Sequence, residues 1–405
     1  MGRSPSVSDL VEESYALERA GDVGAALRRA REALKKARVS GEAEPIAIAQ
    51  ICLAYLHFRQ GHYDTAHALA EESLGRLPPD APPRADALLI LGNCAAETDD
   101  PSAAETFYRR AIDLSRQLGY RRALRRGLHN LAANVYVPRG QFDLALAADE
   151  ESLRLARELD MPEVAWFPLA TMGWVYWVTG RRERALAVTE ELRRYAPPGS
   201  LAEGFYYCLR ADLAQGGEDP DAALPLYTRA RSIAETIGDP GLNVLIRLGL
   251  SRYRRAVGDP SAARDWANDA LTIAARVGYR HLQGMALIER GRASWDVGHI
   301  AAAESDLRAA IEILSPLQAN LDLARGLLLL AALLHQQQRA VAPAAWLEAV
   351  SHIISGGYAF LLEQERGLAF PLLAARLNSA DPAIASLSAR LLGHLANVPP
   401  PPLRI

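Results

Sequence analysis

The sequence is poor in the residues and patterns that build disulfides, metal sites and catalytic centres. It has three cysteines in 405 residues, far apart and outside any Cys-x-x-Cys pair. We therefore expect neither a disulfide framework nor a zinc site. We do expect the protein to lie in a reducing compartment. The nine histidines are scattered. Metalloprotease, serine-hydrolase, dinucleotide-binding and Walker A motifs are all missing, so the sequence predicts a protein that is not an enzyme and holds no metal or cofactor.

Lysine and long apolar runs are also scarce. All but two of the 45 basic residues are arginine, and the formal net charge is −3. This balance argues against direct nucleic-acid binding, which usually requires a strongly basic domain. The longest apolar run, 327–334, is too short to span a bilayer, and the first residues lack an apolar signal core. We therefore expect a soluble, cytoplasmic protein that does not bind membranes.

What the sequence has in abundance is self-similarity. A turn residue, here called the ruler, recurs every 38 to 41 positions: Gly21, Gly61, Asp99, Gly140, Gly180, Glu218, Gly258, Gly298 and Gln338. Five residues after the ruler, eight of nine residues are alanine, the exception being Pro343, and seven residues before it all nine are small. Small residues let two helices cross closely. Each repeat is therefore predicted to be a helical hairpin that stacks on the next one.

The predicted hairpins have matching turn chemistry. Acid–proline pairs at 100–101, 219–220 and 259–260 place a helix N-cap before a proline at the first helical position. Glycines at 119, 238 and 278 follow long apolar-periodic stretches, where a left-handed cap ends a helix. Both signals predict where the second helix of a repeat begins and ends.

Segments 53–74 and 172–192 resemble tetratricopeptide repeats. The resemblance lies in small residues of the first helix, an aromatic residue four before the ruler and alanines of the second helix: Ala54, Gly173, Tyr136, Tyr176, Ala66 and Ala185. HEAT-type repeats share the 40-residue period and remain an alternative. The resemblance covers about residues 8–355 and implies an all-α, right-handed superhelical solenoid of nine to ten stacked hairpins. We assign this array to residues 1–355.

The remaining sequence is less regular. We predict irregular or capping helices over 356–397 and the end of a proline-rich linker over 398–405. This end resembles the helical-repeat sensor region of large bacterial transcription regulators, such as relatives of the maltose-regulon activator and the bacterial transcriptional activator family. The resemblance implies an effector-sensing region whose ATPase and winged-helix DNA-binding modules lie outside this chain.

Candidate binding residues lie on the first helices, which line the concave side in tetratricopeptide proteins. The position six before the ruler is polar or aromatic in eight of nine repeats, whereas a core position would be apolar. Asparagine side chains can pair with the backbone of a bound peptide, and arginines can pair with an acidic group. The tryptophans, together with Phe167, can hold an apolar anchor of the ligand. The candidates are Tyr55, Asn93, Asn130, Asn134, Trp174, Trp177, Asp212, Arg252, Arg255, Arg292 and Trp295.

Two functions follow from these candidates. The main prediction is a non-enzymatic scaffold that binds a protein or peptide segment, and the alternative is a regulatory region that senses a small-molecule effector. Structural interpretations of the same residues stay open. The tryptophans could instead fill gaps between helices, and Tyr55 could be a packing residue. The arginines could form surface ion pairs with Asp212, Glu289 or Asp296.

Overall fold

The computed structural model describes residues 5–19, 21–217 and 220–396, and over these residues it contains helices and no strands. The contacts divide the chain into two compact units, Met1–Val137 with Phe142–Thr171 and Pro138–Gln141 with Met172–Ile405. The all-α prediction is confirmed. The predicted linker over 398–405 and the predicted cap at Asp219 lie outside the described residues.

The first unit is built from eight helices and the start of a ninth. They are α1 (Val7–Arg19), α2 (Val23–Ser40), α3 (Ala43–Arg59), α4 (Tyr63–Arg76), α5 (Pro83–Glu97), α6 (Pro101–Gln117), α7 (Arg121–Leu131), α8 (Phe142–Glu158) and α9 (Trp166–Val178). One turn of π-helix, Ala132–Tyr136, extends α7, and a short 3₁₀ turn, Pro162–Val164, precedes α9. α9 ends in the second unit.

The second unit continues the series of hairpins. Its helices are α10 (Arg182–Arg193), α11 (Leu201–Gln215), α12 (Ala223–Ile237), α13 (Pro240–Ala256), α14 (Pro260–Val277), α15 (Arg280–Asp296), α16 (Ile300–Leu314), α17 (Asn320–Gln336), α18 (Ala342–Gly356), α19 (Phe360–Gln364), α20 (Arg366–Ala374) and α21 (Pro382–Ala396). A 3₁₀ turn, Pro220–Ala222, precedes α12. From α1 to α18 the helices pair in chain order as first and second helices.

The ruler marks the turn inside each hairpin. All eight described ruler residues have φ between 52° and 87°, and Glu218 lies outside the described residues. This left-handed backbone ends the first helix and reverses the chain. Six of the eight are glycine, which adopts it without steric cost, whereas Asp99 and Gln338 adopt it as ordinary L-residues.

The predicted helix caps are present wherever the structure describes them. The carboxylate of Asp100 accepts a hydrogen bond from the backbone N–H of Ala103 at 2.9 Å, and Asp259 accepts one from Ala262 at 3.1 Å. The glycines at 119, 238 and 278 have φ of 65°, 77° and 80°. Both predictions are therefore confirmed for these positions.

The two small-residue positions lie where the helices of a hairpin cross. The alanines five after the ruler are at most 1% exposed. The hydroxyl of Ser14 donates to the carbonyl oxygen of Ala26 at 2.8 Å. A Cβ added to Gly291 would lie 3.3 Å from the carbonyl oxygen of Ala303. Such close approach leaves room only for small residues, as predicted.

The last helices of the second unit contact a loop far back in the sequence. The hydroxyl of Tyr358 donates to the carbonyl oxygen of Arg139 at 2.7 Å, and a Cβ on Gly140 would collide with the Tyr358 ring. The amide of Gln364 donates to the carbonyl oxygen of Val178 at 2.8 Å. The segment after the repeats therefore packs against residues 138–141 and the end of α9.

Candidate functional site

The three predicted asparagines of the first unit are joined through a tyrosine. Asn93 Oδ1 accepts from the Tyr108 hydroxyl at 2.8 Å and from Asn130 Nδ2 at 2.9 Å. The same hydroxyl accepts from Asn134 Nδ2 at 3.0 Å. Tyr108 is completely buried, and this burial raises its pKa, so the phenol stays protonated. These four side chains are called the asparagine chain below.

The asparagine chain fixes which polar atoms remain for a ligand. Asn93 uses its oxygen internally, which leaves its NH2 group as a donor. Asn130 and Asn134 use their NH2 groups, which leaves their oxygens as acceptors, and Asn134 is exposed. A peptide backbone presents one donor and one acceptor per residue, so these atoms have the chemistry to pair with it.

Tyr55 lies among other side chains of the first helices. Its ring meets that of Tyr15 edge-on, with 5.6 Å between the centroids, and its hydroxyl accepts from Arg59 at 3.3 Å. Both tyrosines are partly buried. This placement matches the packing interpretation of Tyr55 and leaves its predicted role in binding open.

In the second unit, Arg252 joins residues from three consecutive repeats. Its Nη2 lies 3.1 Å from Asp212 Oδ1 and its Nη1 lies 3.5 Å from Glu289 Oε1. Its guanidinium lies 5.4 Å from the centre of the Trp177 ring, and Trp177 Nε1 donates to the carbonyl oxygen of Asp212 at 3.2 Å. Three of the predicted candidates, Trp177, Asp212 and Arg252, thus lie together in the structure. Glu289 completes the group.

The charges of Asp212, Arg252 and Glu289, called the ion cluster below, interact strongly because their side chains are buried. The side chains of Asp212, Arg252 and Glu289 are 7%, 17% and 9% exposed. Burial raises the pKa of Asp212, and Arg252 opposes that rise. Burial lowers the pKa of Arg252, but the two carboxylates outweigh it and raise the pKa overall. Arg252 is therefore a permanent cation held by carboxylates of its own chain, the ion-pair interpretation left open above.

The two other predicted arginines share one carboxylate at longer range. Arg255 Nη1 lies 3.9 Å from Asp296 Oδ2 and Arg292 Nη2 lies 3.7 Å from Asp296 Oδ1. Arg292 lies 4.9 Å from the centre of the Trp295 ring, whose Nε1 donates to Gln336 Oε1 at 2.8 Å. Nε and Nη1 of Arg292 are buried without a hydrogen-bond partner. Arg255 and Arg292 are therefore only weakly paired with Asp296, and the part of each guanidinium that stays exposed is available to an acidic group.

The predicted aromatic patch is divided between the two units. Trp174 and Trp177 belong to the second unit and are partly buried. Phe167 belongs to the first unit, where its ring centre lies 5.5 Å from that of His129. Phe167 is 37% exposed.

The partners of the first-helix candidates on the second helices were not predicted from the sequence. Tyr108 and Tyr227 both lie nine residues after a ruler and donate to the residue six before it, Tyr227 to Asp212 Oδ1 at 2.6 Å. Asp149 occupies the same position, is completely buried and lies 2.9 Å from His129 Nδ1. Burial raises the pKa of Asp149 to about 6. The position nine after the ruler is mostly alanine or leucine. A polar residue there was the sequence signal that could have identified these partners.

Two general features of the described residues bear on function. Within 5–19, 21–217 and 220–396, no group of three histidine, cysteine, aspartate or glutamate side chains is placed to hold a metal ion. Over the same ranges, no helix has the length and apolarity needed to traverse a lipid bilayer.

Comparison with known proteins identifies the repeat. A family model of the tetratricopeptide repeat matches residues 51–118. A Rap protein solved with competence and sporulation factor superposes with a TM-score of 0.61 at 13% identity, over 87% of this chain and 96% of the other. The Rap conjugation regulator of plasmid pLS20, solved with the Phr* peptide, gives 0.53 at 14% identity, over 78% and 97%.

A human protein shares the architecture with a different ligand. The human IFIT1 dimer solved with m7Gppp-AAAA gives a TM-score of 0.52 at 12% identity, over 98% of this chain and 88% of the other. No sequence among the curated proteins matches that of this chain. At such identities the superpositions establish the fold and leave the ligand undecided. Residues 51–118 thus match the tetratricopeptide repeat, and the shared architecture shows that the described chain has the fold of stacked helical hairpins found in such repeat proteins.

Proposed function

We propose that this chain is a non-enzymatic scaffold that binds an extended protein or peptide segment on its first helices. The asparagine chain is the observation that carries the proposal. Its amide groups are held by one another and by the buried Tyr108 hydroxyl, so they need little ordering when a ligand arrives. Such preorganisation lowers the entropic cost of binding.

The second unit has candidate contacts of its own for ligand side chains. Trp174 and Trp177 are partly exposed aromatic side chains, of which Trp177 lies beside the ion cluster. The exposed parts of Arg255 and Arg292 are available to an acidic group. Arg252 has a different role, because Asp212 and Glu289 already neutralise it. We assign Arg252 to holding the first helices together and the other two arginines to recognition.

The charge of the chain supports a peptide over a nucleic acid, a choice that the shared fold leaves open. One protein of the same fold was solved with a peptide and another with a capped RNA. The net charge of this chain is −3, and binding to a phosphate backbone depends on cationic neutralisation. A cytoplasmic location is part of the proposal, since all three cysteines are free and buried.

Peptide arrays test the proposal with the purified full chain. An array of eight-residue peptides of mixed sequence is probed with the wild type and with Asn134→Ala, and affinities for the bound peptides are measured by fluorescence anisotropy. Asn134 is exposed but donates to the Tyr108 hydroxyl, so its removal should cost about 1 kcal/mol of stability. It should leave the chain folded and weaken peptide binding at least tenfold.

The matched control is Asn268→Ala. Asn268 is also exposed but lies on α14, a second helix, and its side-chain oxygen accepts from Arg290. This variant should bind as the wild type does. An Asn134→Ala protein with wild-type affinity, or a wild-type chain that retains no peptide, contradicts the proposed function.

The alternative, an effector-sensing region of a transcription regulator, would use the same first-helix surface. Native mass spectrometry of the purified chain separates the two. A small molecule retained in place of a peptide would favour the alternative.

A further inference from the structure

The carbonyl oxygen of Arg139 is held by two side chains from the last helices of the second unit. It accepts a hydrogen bond from the Tyr358 hydroxyl at 2.7 Å and one from Asn320 Nδ2 at 3.4 Å. Tyr358 is buried and follows the end of α18 by two residues. The C-terminal helices therefore hold the turn of the fourth hairpin, Pro138–Gln141, which belongs to the second unit by its contacts.

Two glycines make room for the Tyr358 ring. A Cβ on Gly140, the ruler of that hairpin, would collide with the hydroxyl and one edge of the ring, and a Cβ on Gly356 would collide with the other edge. The ring is therefore packed between two stretches of backbone that leave no space for a side chain. Arg139, Gly140, Gly356 and Tyr358 are called the clasp below.

The turn held by the clasp follows an unusual helix end. α3 and α9 remain α-helical to two residues before the ruler, whereas α7 ends nine residues before it. The π-turn Ala132–Tyr136 lies in between, and the N–H of Val137 donates to the carbonyl oxygen of Ala132 at 2.9 Å. Such turns are rare and occur frequently at functional sites.

The π-turn carries one member of the asparagine chain. Asn134 is its third residue, and only four residues separate Asn134 from Arg139. One of the four is Pro138, whose ring fixes φ and so stiffens the connection. The orientation of the Asn134 side chain therefore depends on where the following turn is held.

We infer that the clasp is a positioning device for the proposed peptide site. It fixes the turn that follows the π-turn and thereby holds Asn134 in the orientation that the ligand requires. Tyr358 acts through the backbone of Arg139 and Gly140, as a positioning residue. This inference rests on the proposed peptide-binding function and adds that the helices after the repeats set the affinity of that site.

Two variants loosen the clasp in different ways. Tyr358→Phe removes the hydroxyl that donates to Arg139, and Gly356→Ala adds the Cβ that displaces the ring. Neither variant changes a residue of the asparagine chain. A common effect of both on the π-turn therefore identifies the clasp as its cause.

Each variant has a matched control. Tyr253→Phe also removes the hydroxyl of a buried tyrosine, one that donates to Asp221. Gly367→Ala also adds a Cβ to a helical glycine near the end of the chain, but in open space. Melting temperatures of all four proteins show how much each change costs in global stability.

Hydrogen exchange of the ligand-free full chain is the first measurement. Peptic fragments within residues 132–141 report on the π-turn and the turn after it. Both clasp variants should exchange there about fivefold faster or more, because local opening of the segment becomes easier. Both controls should exchange as the wild type does.

Peptide affinity is the second measurement, with a fluorescein-labelled eight-residue peptide that the wild type selects from the array. The clasp variants should bind it about three- to tenfold more weakly, as expected when the competent conformation falls to about a third or a tenth of the population. Coupling between two sites is reciprocal, so saturating peptide should slow exchange of residues 357–362 in the wild type. The controls should keep wild-type affinity.

The two measurements separate this inference from the proposed function. Unchanged exchange of residues 132–141 in both clasp variants, or equal acceleration in the controls, overturns the clasp whatever the peptide does. Faster exchange with wild-type affinity overturns its role in positioning Asn134 and leaves peptide binding standing. A wild type that binds no array peptide overturns the proposed function and the positioning role together, and the exchange data distinguish this outcome from failure of the clasp alone.

Discussion

The hydroxyl of Ser251 donates a hydrogen bond to the carbonyl oxygen of Ala263 at 2.8 Å, across the crossing of α13 and α14. Ser14 and Ala26 make the same contact at the same distance in the first repeat. The two pairs occupy equivalent positions, seven before and five after a ruler. A serine at this position therefore satisfies its own hydroxyl without separating the helices.

Substitution of Ser251 should distinguish its hydrogen bond from its small size. Ser251→Ala loses one buried hydrogen bond and should lower the free energy of unfolding by about 1 kcal/mol. Ser251→Val adds a branched side chain at the closest approach of two helices and should cost about 1–3 kcal/mol more. Urea denaturation measures both, with the exposed Ser232→Ala as a control. Equal stability of the alanine and valine variants would show that the crossing tolerates bulk.

Tyr227 should matter for the stability of the buried Asp212. Tyr227→Phe removes the hydroxyl that donates to Asp212 Oδ1 at 2.6 Å and leaves this carboxylate to Arg252. We expect a loss of about 1–3 kcal/mol, since a buried acceptor loses a partner. Tyr253→Phe is the control, because its hydroxyl lies 3.3 Å from the carboxylate of the exposed Asp221. A larger drop in melting temperature for Tyr253→Phe than for Tyr227→Phe would contradict the idea that the Tyr227 hydroxyl stabilises the buried Asp212.

Asp149 should make stability depend on pH. Its pKa is raised by burial to about 6, above the value of about 3.9 for an unfolded aspartate. The folded state then binds more protons between these values, so Asp149 lowers stability as the pH rises from about 4 to 6. Asp149→Asn removes this loss. The stability of the variant relative to the wild type should therefore improve by roughly 2–3 kcal/mol between pH 4 and pH 7.

Urea denaturation across this pH range measures the difference. The exposed Asp269→Asn should show no such change relative to the wild type. A relative stability of Asp149→Asn that stays constant with pH would show that Asp149 ionises normally in the folded chain.

A glycine should improve the last ruler position. Gln338 has φ of 52°, a conformation that costs an L-residue about 1–2 kcal/mol. Gln338→Gly relieves that strain but gives the unfolded chain more freedom, about 0.5–1 kcal/mol. We expect a net gain of about 0.5–1 kcal/mol in thermal or urea unfolding. The neighbouring Gln337→Gly, where φ is −84°, should instead be destabilising, and a gain there would refute the argument.

The repeat architecture was predictable because it depends on local rules. Turns, caps and small crossing residues each leave a signal at a fixed distance from the ruler, so Gly258, Asp259 and Ala263 could be placed from the sequence. A degenerate repeat weakens this signal. In the last one, Ala342 is buried and Pro343 is exposed, so the buried small residue lies one position earlier than the ruler indicates.

The candidate site was only partly predictable, because its contacts join residues of different repeats and of both helices. The position six before the ruler identified Asn93 and Asp212, but not that a tyrosine fifteen residues later would bind each of them. The contact between Tyr358 and Arg139 joins positions 219 residues apart and has no periodic signal at all.

Arg252 also has a consequence for how the chain unfolds. Repeat arrays are held together by nearest-neighbour interfaces, so their ends can fray independently. One guanidinium here joins carboxylates of the preceding and the following repeat, forty residues before it and thirty-seven after it. If any of these three repeats opened alone, a nearly buried charge would lose its counter-charge, which is costly. The three repeats around α11, α13 and α15 therefore form one cooperative block within a modular chain.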